Sequence, residues 1–77
     1  MATQQTQIPR NHHEFLIWIQ YQLKRNRSNF AIIARRVGTS RQYVRQSVFG
    51  PNEKIAAAIA EDIKITKEQL WPERFAA

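Results

Sequence analysis

The stretch Asn29 to Phe49, NFAIIARRVGTSRQYVRQSVF, limits the fold more than any other part of the chain, because one helix stops and another starts across Gly38 to Ser40. At 100° per residue, Phe30, Ile33, Ala34 and Val37 share one arc of about 100°, and Arg35 and Arg36 point away from it. This is a core-facing helix of two turns, and either Ser28 or Asn29 can cap its first amides. Gly38 ends it, since the residue after a helix commonly takes positive φ and glycine does so without a side-chain clash. Thr39, with Gln42 three positions on, reads as a capping box that restarts the helix at once. Such an abrupt restart forces two short helices to cross steeply, the outline of a helix-turn-helix at about 30–49.

The flanks read as further helices. With 77 residues the chain can bury one small core, and a hydrophobic fraction of 43% is enough to fill it. Leu16, Ile19 and Leu23, widened by Phe15 and Trp18, give a helix over 11–26. After Gly50-Pro51, Asn52 caps a fourth helix with Glu53 near its positive end and Ile55, Ile59 and Ile63 as its core stripe. Thr66 and Gln69 offer a second capping box for a short fifth helix, TKEQL, that stops before Pro72. Residues 1–10 are polar and are expected to form a flexible arm ahead of a domain at 11–75. The expected fold class is all-α, with five helices.

Charge separates the two halves. The chain holds 12 Lys+Arg against 6 Asp+Glu, a net charge of +6. From Phe15 to Asn52 the basic residues are Lys24, Arg25, Arg27, Arg35, Arg36, Arg41 and Arg45, with no acidic residue among them. A surface cleared of one sign points to a polyanion facing that half. The helix after Gly38 says which kind: Arg41, Gln42, Arg45 and Gln46 occupy an arc of about 140°, opposite Tyr43, Val44, Ser47 and Val48, which are assigned to packing. Arg pairs with guanine N7 and O6, and Gln with adenine N6 and N7, so this face suits base edges in a major groove. Ser40 joins it at the helix start. Ser28, Asn29, Arg35, Arg36 and Thr39 are candidates for phosphate contacts, and Arg10 for a minor groove.

Other classes find little support. Without cysteine there is no disulfide framework and no thiolate metal site. FLIWI at 15–19 is too short to span a bilayer, and no secretory signal pattern precedes it. Adjacent His12 and His13 point to different sides of a helix and make a poor metal pair. No phosphate loop or nucleophile–base pairing is present, so no catalysis, metal, cofactor, membrane or small-molecule ligand is expected.

Phe30 to Phe49 resembles the helix-turn-helix of lambda-repressor-like proteins. Ala34 matches the small residue at the helix crossing, Gly38 the turn glycine and Val44 the buried aliphatic of the recognition helix. Ser47 stands where that pattern usually carries a larger aliphatic, so Val48 is expected to share its packing role. The ending ITKEQLWPERF resembles the tail of Ner-type phage regulators, small lambda-repressor-like proteins that repress transcription, which carry a similar Trp-Pro-x-Arg-aromatic string. Together the resemblances cover residues 13 to 75. They imply a repressor that binds double-stranded DNA in a bacterial host cytoplasm, as two copies on related half-sites, with a homodimer, formed on DNA alone or also in free solution, as an expectation. An excisionase-like DNA-bending factor and a protein-interaction module that kept the fold are the rival readings. Trp71 and Phe75 are expected to plug the core; Trp18 and Tyr21 are either half-buried aromatics or part of a dimer contact.

Overall fold

In the computed structural model, residues 8–76 are described, and among them the chain forms six helices and no strand. Polar side chains set the starts. Asn11, Asn29, Ser40, Asn52 and Thr66 each lie in extended backbone, and each side chain accepts the N–H three residues on. These caps open α1 (His12–Arg25), α2 (Phe30–Val37), α3 (Arg41–Ser47), α4 (Glu53–Ile63) and α5 (Lys67–Leu70). The Thr66–Gln69 capping box forms as expected. The cap of α3 is Ser40 rather than Thr39, because the Thr39 N–H donates to the Ala34 carbonyl at 2.9 Å and thereby helps to close α2. The helix thus starts one residue later, and Gln42 loses its capping register.

Gly38 ends α2 at φ +79°, the left-handed conformation expected of it. Arg27 (φ 60°) and Lys64 (φ 62°) do the same work after α1 and α4 without being glycine, at a cost of about 1–2 kcal/mol each. Their turns are closed by Ser28 N–H to Leu23 O (2.8 Å) and Ile65 N–H to Ala60 O (3.2 Å). The sixth helix, α6 (Pro72–Phe75), is the departure from the five expected. Pro72 does end α5, yet at a first helical position its missing N–H is no loss and its fixed φ suits a new turn.

Ile19, Leu23, Ile33, Val44, Val48, Ile55, Ile59 and Leu70 are fully or almost fully buried, and the larger ones contribute roughly 1.5–3 kcal/mol each. α2 packs on α3 and α4, α1 on α4, and α5 on α4 and α6. Trp71 is buried, edge-on to Phe15 and to half-buried Phe75 at centroid distances of 6.0 and 6.4 Å. Its indole N–H donates to the Val48 carbonyl at 2.7 Å, and Arg74 Nε donates to the Pro51 carbonyl at 2.6 Å. The tail is thereby fastened to the segment that leaves α3. Val48, a helix C-cap, takes the packing role that Ser47 leaves open.

Of the expected arm, residues 1–7 lie outside the described residues. Ile8 packs against the core, and the Arg10 guanidinium donates to the Leu70 and Gln69 carbonyls at 3.3 and 3.4 Å. Residues 8–10 are therefore folded onto the domain, and Arg10 helps satisfy the open carbonyl end of α5 instead of extending toward a groove.

Candidate nucleic-acid interface

Val44 and Val48, both 0% exposed, set the rotation of α3. With that side buried, Arg41, Gln42, Arg45 and Gln46 are all exposed. Tyr43 is also exposed, at 48%, although its place in the sequence pattern assigns it to the packing side. Only the arc around Val44 and Val48 is covered, and Tyr43, a step of 100° before Val44, falls beyond it.

Arg41 and Arg45 border a groove of about 460 Å³ together with Gln20 and Lys24 of α1 and Asn29, Phe30 and Ala31 at the start of α2. Asn29 Oδ1 accepts the Ile32 N–H at 2.9 Å, and the other first-turn amides of α2 have no partner within the helix. Cationic side chains around open amides at a helix N-terminus favour an anion. Gln20 and Lys24 were not among the residues expected at such a site. Their signal is their i, i+4 spacing on the first helix, within the acid-free run.

Two expected phosphate residues are engaged inside the protein. Ser28 borders the groove, yet it is only 7% exposed and its hydroxyl donates to Asp62 Oδ2 at 2.5 Å. Arg36 donates to both Asp62 oxygens, at 2.9 and 3.2 Å, and lies 3.6 Å from Glu61. Burial pushes the Asp62 carboxyl upward, but the hydrogen bonds from Arg36 and Ser28, aided by the charges of Arg36 and Lys64, outweigh it and hold it below its ordinary value. The hydrogen bond to Asp62 likewise raises the Arg36 guanidinium. Ser28 and Arg36 thus join the α1–α2 turn, α2 and α4 through one carboxylate.

The remaining candidates divide by place. Arg35 is exposed on α2, Thr39 is exposed in the turn, and the Ser40 hydroxyl accepts the Tyr43 N–H at 3.1 Å. Ala34 is buried where α2 meets its neighbours, as the helix crossing requires. No described helix is long and apolar enough to cross a membrane.

A family model described as winged helix-turn-helix DNA-binding matches residues 18–77, from within α1 through the tail. No curated protein and no solved structure matches the chain. The described part of the matched span contains no strand, so its resemblance to that family is carried there by helices.

Proposed function

Because the chain belongs to the winged helix-turn-helix DNA-binding family, we propose that it is a sequence-specific duplex-DNA-binding transcriptional regulator that places α3 in the major groove. The observation that carries this reading is the exposed side of α3, where Gln42 and Gln46 stand opposite buried Val44 and Val48 and exposed Arg41 and Arg45 flank them. Bases are read by Gln42, Gln46 and the arginines, with Ser40 at the helix start. Asn29, Arg35 and Thr39 hold phosphates, joined by Lys24 across the groove. The binding unit is residues 11–75.

The finer reading is a phage or prophage repressor, closest to the Ner-type regulators, acting in the host cytoplasm. Its support is the WPERF ending, whose Trp71 and Arg74 brace the segment after α3. One α3 reads only a few base pairs, so two copies act on half-sites about one helical turn apart. Selection of bound duplexes from a random pool at near-physiological salt tests this. Two related half-sites are the expected result; a pool that stays random would leave the basic face a nonspecific surface.

A further inference from the structure

Tyr43 occupies a place on α3 that the residues so far assigned do not explain. Taking the midpoint of buried Val44 and Val48 as the core direction, Gln46 points directly away from it, with Gln42 about 40° to one side and Tyr43 about 60° to the other. Arg41 and Arg45 lie further round, beyond Gln42, at the groove shared with Lys24 and Asn29. The outermost strip of the helix is therefore two amides and a phenol ring, and the cationic side chains form its flank. A single exposed aromatic is ordinary on a protein surface. One that lies on the strip turned toward base edges, within a turn of Gln46, is placed to touch what Gln46 touches.

Resting on the proposed reading of duplex DNA, we propose that Tyr43 is a specificity-determining residue whose ring packs against the C5-methyl group of a thymine, in or beside the pair whose adenine edge Gln46 takes. The thymine methyl is the apolar group that major-groove base edges offer to such a ring. Gln is the side chain suited to adenine N6 and N7, so two neighbours on one strip favour the two halves of an A·T pair. Arg41 and Arg45 lie on the far side of Gln42 from Tyr43, which leaves this edge of the strip free for the contact.

The test uses the full chain and the site chosen by duplex selection, with each thymine replaced in turn by uracil, which removes the methyl and nothing else. The wild type should lose about fourfold in affinity at one position per half-site, the worth of one buried methyl group. Tyr43→Ala should bind the thymine and uracil sites equally, and Tyr43→Phe should discriminate as the wild type does. If Tyr43→Ala does not fold, Tyr43→Gln, which removes the ring and keeps a good helix former, is read in its place. A wild type that selects a motif yet ignores every thymine methyl overturns this inference and leaves the regulator reading standing. Equal losses in Tyr43→Phe and Tyr43→Ala, with no thymine preference, would place the phenol oxygen on a phosphate and also overturn it. A protein that selects no motif overturns both.

Discussion

α2 and α3 are of nearly equal length and carry two arginines each, yet one arginine of α2 is used in the opposite way to both of α3. In α2, Arg36 is turned to Asp62 and Glu61 of α4 and helps to hold the domain together. In α3, Arg41 and Arg45 stand exposed beside a groove that gathers further polar groups. The difference does not lie in the residues themselves. It lies in what the fold brings opposite them: α4 presents a carboxylate to one helix, and nothing acidic lines the groove beside the other. An arginine in an acid-free run of sequence can still be paired in space.

The sharpest way to break this contrast is to release α3. Trp71→Ala should lose roughly 3–5 kcal/mol of stability in urea unfolding, since it empties a buried aromatic site and leaves the Val48 carbonyl without its indole partner. An unchanged midpoint would mean that Val44 and Val48 alone fix the reading helix. Next in size, Gln42→Ala and Arg45→Ala should each lose about 1–3 kcal/mol for the selected site while melting like the wild type. Equal losses on random DNA would remove α3 from the role of reader.

Asp62→Ala addresses the other side of the comparison and should destabilise by roughly 2 kcal/mol, because Ser28 is then buried without its acceptor. The carboxyl is held below its unfolded value, so its contribution is present in full above an unfolded carboxylate pKa of about 3.9 and is lost as pH falls through the lower folded value. Acid titration of stability should therefore show the wild type losing more than Asp62→Ala below that point. The smallest effect is the most diagnostic. Arg45→Ala should flatten the salt dependence of DNA binding by about one, and Arg36→Ala should leave that slope unchanged.

Much of the fold was legible because it rests on local chemistry. Asn52 and the Thr66–Gln69 pair cap the helices they were expected to cap, Asn29 is the one of two candidates that caps α2, and Gly38 takes its left-handed turn. Where two hydroxyls adjoin, as in Thr39 and Ser40, local rules could not choose, and a backbone bond to Ala34 decided. The turns at Arg27 and Lys64 were hidden because no glycine marks them. The engagement of Ser28 and Arg36 inside the protein was hidden for another reason: their partner, Asp62, lies 34 and 26 residues away along the chain. The candidate reading face was legible from helical spacing, but its edge at Tyr43 depended on how wide an arc the neighbouring helices cover.

The indole bond from Trp71 to Val48 also orders events in time. During synthesis, Val48 at the end of α3 leaves the ribosome 23 residues before the side chain that secures it. The two valines can bury early against α2, but the indole that holds the Val48 carbonyl arrives only with the tail. A nascent chain halted between α4 and α5 would thus carry its arginines into solution on a helix not yet held at its far end.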